Sequence, residues 1–585
     1  MKQKRSLIAL GALSVALAAC SSEITDPGGG SPGTAGTNSG PGAGGAGSAT
    51  AGNGSSGTAG PNAGAPGSGM GGVPGDPSTC IPGIPATTQL PRMKNAAYDA
   101  VVRDLLGVTS LASAGNAPPS SLLVPDFDGS LTDIAWNGYL TASDKIAAEV
   151  MAGANKSKFI ACDPAMAACL TDTIRAFGRK AFRRPLTPDE VMRFERLNNL
   201  TPKGTPAEVA EAILYAFLAS PSFIMLPELA QDKEGTATKL SAHEVATRLS
   251  FLLWGSVPDD ALNAAADAGQ LTTSAQIMAQ AQRMVQDRQK TAPIVTAFHR
   301  YYADIRNGSH WANREHDTAK YPNYSADAQA PMMAEMDAFF EEVTFSGGSF
   351  RELFLSNLGF VSRATAPLYG LDAASYGAQP TRVELNASER PGFLTRVGFL
   401  SSYSSFDSTN PILRGAFISG RILGVDPGLP NPDAFNTPVP PGMYTTHRQE
   451  VEALTSAPAC VGCHATFINP PGFVLEKYNS VGSVQTKDPL GGDINATADV
   501  FFSEGNVKTI TSPLELMTEL ANDPAAKRYY AERWVSFATG RLPNSNDACV
   551  VDALKLKLSE SGYTILNVLS DLTQADSFRL RTVGN

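Results

Sequence analysis

One short stretch of this sequence has residue types and a spacing suited to covalent cofactor chemistry. Cys460, Cys463 and His464 form a C-x-x-C-H motif. With this spacing both thiols can reach one edge of a porphyrin and add to its vinyl groups, while the adjacent imidazole ligates the iron. The motif therefore predicts one covalently attached haem c, bound through Cys460 and Cys463, with His464 as the proximal iron ligand.

The same residues also permit other arrangements. The two thiols could close a short disulfide loop, join a metal site with remote ligands, or be the relic of a lost site. Pro470-Pro471-Gly472 follows the motif and is typical of a turn. In such a loop a backbone carbonyl can accept the Nδ1–H of His464, which would turn Nε2 towards the iron. An ordinary turn is the equal alternative.

The sixth ligand of the iron stays open at the level of sequence. Met517 is the only methionine after the motif, and Met443 and His447 lie just before it. Each of them also suits an ordinary helix or loop position, and five-coordinate iron is a further alternative. The sequence therefore predicts one haem site with an unknown sixth ligand.

The amino terminus has the pattern of an export signal. Three basic residues precede an apolar run over residues 7–19, which is too short to cross a bilayer as a mature helix. The letters LAAC at residues 17–20 resemble a bacterial lipobox, which implies a signal peptide over residues 1–19 and lipidation of Cys20. An ordinary signal peptide cleaved nearby is the alternative. We expect a cell-envelope lipoprotein at the outer membrane, either periplasmic or surface-exposed.

The next segment cannot bury a core. Residues 20–79 are almost entirely Gly, Ser, Ala, Thr, Pro and Asn, so we expect a disordered tether. The whole chain carries 46 Lys and Arg against 56 Asp and Glu, a formal net charge of −10. This acidic balance argues against nucleic acid as a partner, and leaves the lipid anchor as the predicted contact with a membrane.

The remaining chain has helical periodicity almost throughout. Capping boxes at residues 187–190 and 241–244 each predict the start of a helix. Further helices are predicted over residues 92–106, 168–182, 206–218, 275–285, 332–344, 412–423, 514–520, 526–538, 548–558 and 566–572. The best of the few strand signals is around Val500–Phe502. The predicted fold is mainly α, with several small helical domains behind the disordered tether: residues 80–155, 156–232, 233–375, 388–490 (with the motif) and 505–585.

Four cysteines lie outside the motif and the predicted lipidation site. Cys162 and Cys169 are close enough in sequence to pair, but only if Cys162 lies in a turn, because seven residues of straight helix would separate them by about 10 Å. Cys80 and Cys549 would then join the two ends of the folded region. Four unpaired thiols are the alternative in this oxidising compartment.

Six blocks, in this order, resemble the secreted planctomycete and myxobacterial proteins often called planctomycete cytochrome-c-like. That family combines domains of unknown function numbered 1587, 1595, 1592, 1588 and 1585. The blocks are YDAVVRDLLG at 98–107, FRRPLT at 182–187, RLSFLLWGS at 248–256, RPGFLT at 390–395, the motif with NPPGF at 469–473, and FATGR at 537–541. Many relatives carry a further amino-terminal cytochrome-like domain where this chain has its tether. They often have a Met shortly after the motif, where this chain has Ile468.

Two functions from different classes remain open. The first is electron transfer or redox relay through one c-type haem, with a redox partner protein. The second is a non-redox helical binding or scaffold lipoprotein with a surface ligand such as a polysaccharide, in which Cys460 and Cys463 form a disulfide. No catalytic residues can be assigned, because no G-x-S-x-G, H-E-x-x-H, P-loop or G-x-G-x-x-G motif occurs in a strand-helix setting. Whether the protein is an enzyme stays open.

Overall fold

The computed structural model of the protein describes residues 90–126, 131–305, 315–425 and 438–582. The predicted signal peptide, Cys20, the tether and Cys80 lie outside these ranges. Within them the chain is mainly α-helical with a few short strands, which confirms the predicted fold class. In the same ranges no helix is both long and apolar enough to cross a membrane.

The amino-terminal helices pack around one core. They are α1 (Asn95–Leu106), α2 (Asp133–Ala152), α3 (Lys156–Phe159), α4 (Ala167–Ala181), α5 (Pro188–Glu195), α6 (Pro206–Leu218) and α7 (Pro221–Ile224). The predicted capping box is present at α5, where Thr187 and Glu190 bind each other's backbone N–H groups. Arg183 lies buried near this capping box and donates hydrogen bonds to four backbone carbonyls. These carbonyls belong to the end of α4 and to the residues in and just after α7, so Arg183 links the two helices.

The longer carboxy-terminal part contains the remaining helices. They are α8 (Ala242–Trp254), α9 (Asp260–Asp267), α10 (Ser274–Val285), α11 (Arg288–Tyr302), α12 (Gln329–Phe345), α13 (Phe350–Leu355), α14 (Val397–Ser402), α15 (Pro411–Phe417), α16 (His447–Leu454), α17 (Pro458–Cys463), α18 (Asn469–Val474), α19 (Pro513–Asn522), α20 (Pro524–Thr539), α21 (Ala548–Lys557), α22 (Ile565–Leu572) and α23 (Asp576–Arg579). The predicted box at Ser241 and Glu244 caps α8. Wider π-helical turns follow α15 and α17, at Ile418–Ile422 and His464–Ile468.

The strands form three small antiparallel sheets in the described residues. They are β1 (Lys233–Glu234), β2 (Ala237–Lys239), β3 (Leu358–Val361), β4 (Thr381–Glu384), β5 (Ala498–Phe501), β6 (Val507–Ile510) and β7 (Leu580–Arg581). β1, β2 and β7 pair in that order, β3 pairs with β4, and β5 pairs with β6. The strand predicted near Val500 is therefore confirmed as β5. β2, which lies just before α8, pairs with β7 near the carboxy terminus.

Two large hydrophobic clusters form the interior. The first draws on residues between Met93 and Ile224, and the second on residues between Leu240 and Leu572. The three carboxy-terminal segments predicted from sequence thus contribute to one shared core. At its centre Trp534 of α20 stacks on Phe298 of α11 with ring centroids 3.4 Å apart. Burying such large rings supplies most of the driving force for packing.

Candidate functional site

The C-x-x-C-H motif begins in α17 and continues into the wide turn that follows. Pro458 occupies the first helical turn, where its missing N–H is not needed. Cys460 and Cys463 are three residues apart in this helix and His464 is four residues after Cys460, so all three lie on one face. Both sulfurs are present as thiols on half-buried residues. The fold thus gathers the three predicted residues at one place near the surface.

The orientation of His464 follows from a chain of hydrogen bonds. The Thr455 hydroxyl donates to the carbonyl of Val451 at 2.7 Å, so its oxygen accepts from Nδ2 of Asn469 at 2.9 Å. This fixes the amide of Asn469 with Oδ1 towards His464, whose Nδ1 lies 3.0 Å away. Because a carbonyl oxygen only accepts, Nδ1 carries a proton, and in the neutral ring Nε2 therefore keeps its lone pair.

These hydrogen bonds correct one expectation and add two residues that the sequence did not indicate. A backbone carbonyl near Pro470–Gly472 was expected to accept the Nδ1–H of His464, but the side chain of Asn469 does so. Asn469 is only 2 % exposed, which keeps water from competing for its amide. Thr455 and Asn469 are 14 residues apart, so no local sequence rule joins them.

The Pro-Pro-Gly segment is helical, whereas the sequence predicts a turn. Pro470 and Pro471 stand in the first turn of α18, where prolines cost no hydrogen bond. Gly472 is needed because a Cβ there would overlap the carbonyl oxygen of Pro411 in α15. Gly415 is its counterpart, since a Cβ there would overlap the carbonyl oxygen of Ile468. The two helices therefore touch backbone to backbone, directly behind the turn that carries His464.

Arg414 of α15 fixes the other end of α18. Its fully buried guanidinium donates to the carbonyls of Leu475, Tyr478 and Asn479 at 2.9 to 3.0 Å. Burial lowers the pKa of Arg414 to about 10, while the nearby Glu476 acts in the opposite direction. Burial also raises the pKa of the Glu476 carboxyl, which accepts the hydroxyl of Thr409 at 2.7 Å. The cation is thus held by carbonyl oxygens more than by a close ion pair.

Partly exposed apolar side chains lie beside the motif. The ring of Phe467, in the turn after His464, packs edge-on against Phe501 of β5 with centroids 4.9 Å apart. Val507 of β6, paired with Phe501, is 55 % exposed, and Val461 within the motif itself is 42 % exposed. Apolar surface next to the thiols and the imidazole suits contact with a porphyrin. The donor set and its surroundings therefore fit a haem c.

Comparison with protein families identifies this architecture. Four family models of proteins of unknown function match the chain: DUF1595 at residues 169–228, DUF1592 at 240–371, DUF1588 at 390–488 and DUF1585 at 507–578. The chain belongs to the planctomycete cytochrome-c-like multidomain family. The DUF1588 match contains the whole C-x-x-C-H motif and α18. The expected domain numbered 1587 is not among the matches, and no curated protein and no solved structure matches the chain.

In this member of the cytochrome-c-like family the candidate sixth ligands occupy three different environments. Met517 is fully buried in the large core, on α19. Met443 is fully exposed, and His447, at the start of α16, directs Nδ1 towards Glu450 at 2.9 Å. Ile468, where relatives often have Met, is a buried apolar residue. None of these environments selects a sixth ligand.

The remaining predicted cysteines are resolved in part. Cys162 and Cys169 form a disulfide with a Cα–Cα distance of 5.8 Å. Cys162 precedes α4, in the bend that the pairing requires, so this prediction is confirmed. Cys549 is disulfide-bonded, and Cys80, its predicted partner, lies outside the described residues. Within the described residues no cluster of three or more His, Cys, Asp or Glu side chains could hold a metal ion.

Proposed function

We propose that the protein carries one haem c attached to Cys460 and Cys463, with His464 as proximal ligand, and that it transfers or relays electrons at the cell envelope. The observation that carries the proposal is the hydrogen-bond chain from Val451 through Thr455 and Asn469 to His464. It leaves Nε2 of an imidazole available beside two thiols with the spacing for haem attachment. A bound haem c would supply one-electron chemistry at its iron.

The chain's own residues would hold and tune that group. Asn469 accepts the Nδ1–H of His464, which makes Nε2 a better donor and prevents ring rotation. The contact of Gly415 with Ile468, and that of Gly472 with Pro411, fixes the turn against α15. Cys460 and Cys463 are half-buried and the side chain of Val461 is exposed, so the site lies at the surface. A redox partner could approach there.

Location forms the second part of the proposal. The pattern at residues 17–20 supports lipidation of Cys20 and attachment to the outer membrane, with the tether over residues 20–79 between the lipid and the folded part. Replacing Cys20 with Ser should release the protein to the soluble fraction or leave it unprocessed. Recovery of the wild-type protein in the soluble fraction, cleaved but without lipid, would contradict the anchor.

The haem assignment is tested by expressing the full chain in cells that demonstrably mature other c-type cytochromes. We expect a Soret band, a pyridine haemochrome spectrum and an intact mass increased by one haem, with Cys460 and Cys463 protected from alkylation after reduction. His464→Ala should strongly reduce haem content. His243→Ala is the matched control, because His243 pairs with Asp267 at the surface and should leave the spectrum unchanged.

The non-redox alternative predicts the opposite result. A colourless, folded protein with both motif cysteines recovered by alkylation after reduction would refute haem attachment. It would favour a helical binding or scaffold lipoprotein with a surface ligand such as a polysaccharide. Alkylation before and after reduction then shows whether Cys460 and Cys463 form a disulfide in the purified protein.

A further inference from the structure

A cavity on the carboxy-terminal part is built from elements that carry no residue of the haem motif. Its volume is about 630 Å³, within the range of small-molecule sites. Two Ser- and Gly-containing turns face each other across it, at residues 346–349 between α12 and α13 and at residues 559–562 after α21. The end of α19 and the start of α20 complete the wall.

Two cations line this cavity without a carboxylate partner. Arg351 donates to the amide oxygen of Asn522 at 2.9 Å, and Lys527 donates to the hydroxyl of Ser559 at 3.1 Å. Neither residue takes part in an ion pair with any residue that the structure describes. Arg528, next to Lys527 in sequence, instead pairs with Asp552 and Glu532.

Partial burial disfavours the charged form of Lys527. Burial is the main reason that the pKa of Lys527 lies below its ordinary value; the charge of Asp523 opposes this shift, and the charge of Arg351 adds a smaller contribution to it. A bound anion would favour the charged form and so offset the cost of burying it. The arrangement is therefore poised for a negative ligand between the two side chains.

The two carboxylates of the lining do not fill this role. Glu352 accepts the backbone N–H of Ser349 at 2.8 Å and also its hydroxyl, so it is committed to capping α13. Glu560 is exposed. The lining has no aromatic side chain on which a neutral sugar could stack, which favours recognition through charge.

We propose that this cavity binds a small molecule bearing a phosphate or sulfate group, with the anion held between Arg351 and Lys527. Arg351 contributes a planar fork of donors that matches two anion oxygens, and Lys527 contributes a point charge. The hydroxyls of Ser559 and Ser561 lie in the same wall and add hydrogen-bond donors. The cavity volume leaves room beside the anion for a body the size of one sugar ring.

Calorimetric titration of the full mature protein tests this site. The probes are inorganic phosphate, sulfate and glucose 6-phosphate, with glucose as the uncharged control, at constant ionic strength so that screening stays equal. We expect saturable binding of the anions and none of glucose. Tighter binding of glucose 6-phosphate than of inorganic phosphate would identify an organic ester, and equal binding would identify the free anion. No saturable binding by any anion with a dissociation constant below about 1 mM would overturn the proposal.

Variants locate the binding. Arg351→Gln and Lys527→Gln should each weaken it by about ten-fold, the loss expected for one charged hydrogen-bond donor. Glu560→Gln should tighten it, because a nearby negative charge is removed. Lys320→Gln, an exposed lysine outside the lining, is the matched control and should bind as the wild type does. Unchanged affinity in the double variant Arg351→Gln/Lys527→Gln would refute the site.

A second measurement guards against misfolded variants. Phosphate should raise the thermal unfolding midpoint of the wild type, since a ligand that binds only the folded state stabilises it. The double variant should unfold near the wild-type midpoint without phosphate and gain nothing from phosphate. An equal phosphate-induced rise in both proteins would place the anion elsewhere and contradict the proposal.

Discussion

Asn469 allows the proposed haem site to be tested without removing any ligand. Its amide touches His464 at 3.0 Å on one side and Thr455 at 2.9 Å on the other. Asn469→Ala removes both hydrogen bonds and opens a small cavity at a buried position. At about 1 kcal/mol for each hydrogen bond and a similar contribution from the cavity, the free energy of unfolding should fall by about 2–3 kcal/mol. Urea denaturation measures this loss.

The expected effect on the proposed haem iron has a definite sign. The hydrogen bond from Nδ1 makes Nε2 a stronger donor, which favours the ferric state. If Asn469→Ala weakens ferric over ferrous binding ten-fold, the reduction potential rises by about 59 mV for a one-electron couple. Asn469→Asp places an anionic acceptor at the same point, which strengthens the donor and should lower the potential. Spectroelectrochemical titration of both variants measures the two shifts.

A matched control separates positioning from stability. Asn567 also makes side-chain hydrogen bonds, as the capping-box residue of α22, but it does not touch His464. Asn567→Ala should lose about 1 kcal/mol of stability without a change in potential. Shifts of the same sign in Asn469→Ala and Asn469→Asp, or no shift in either, would refute the assigned role. In the haem-free protein, ¹⁵N NMR should find the His464 proton on Nδ1, and a proton on Nε2 would contradict the hydrogen-bond chain.

Three further predictions concern the support of the site and the core. Gly415→Ala should lower the free energy of unfolding by about 3 kcal/mol in urea denaturation, because its Cβ would overlap the carbonyl oxygen of Ile468. Gly420→Ala is the control and should be tolerated, because the nearest atom to its Cβ is 3.7 Å away. Equal losses in the two variants would contradict the close helix contact. Arg414→Met should lower the free energy of unfolding by about 3–5 kcal/mol, because it leaves Glu476 and several backbone carbonyls buried without their hydrogen-bond donor. A loss under about 1 kcal/mol would refute this role of Arg414. Burial lowers the pKa of His299 to about 3. Between pH 6.5 and 3 the imidazole is therefore protonated in the unfolded chain but neutral in the folded protein. The free energy of unfolding should fall as the pH falls through this window, by up to about 1.4 kcal/mol per pH unit. His299→Gln should flatten that part of the wild-type pH profile, and an unchanged profile would contradict burial of the neutral ring.

Sequence rules worked where the decisive contacts are local. The helix boundary at Thr187 was predictable because both halves of its capping box lie within four residues. By contrast, α2 (Asp133–Ala152) was missed, although it is 20 residues long. Its buried face mixes three alanines and Ser143 with only three larger side chains, Tyr139, Ile146 and Val150, so its hydrophobic signal is weak. α11 (Arg288–Tyr302) was missed as well, although it buries Phe298 and Tyr302, and it contains Pro293, a residue that sequence rules take as a helix breaker.

The same division runs through the candidate site. The identity and spacing of Cys460, Cys463 and His464 were readable, because attachment chemistry fixes them within five residues. The acceptor for His464 was predicted wrongly, because Pro470-Pro471 is equally compatible with a turn and with the first turn of a helix. Choosing between them requires α15, which lies more than 50 residues earlier and meets α18 only in the folded state.

The geometry of the site therefore depends on the carboxy-terminal core more than on the motif. α17 spans six residues, far too few for a helix to persist by itself in water. Its position is imposed from outside: by the glycine contacts of α15 with α18, by Arg414 at the end of α18, and by Asn469 at the imidazole. Arg414 and Asn469 are buried on the inner side of the turn, whereas the side chain of Val461 is exposed. The fold thus fixes one side of His464 and leaves apolar surface beside the two thiols, which is the asymmetry that a covalently attached, edge-exposed redox group requires.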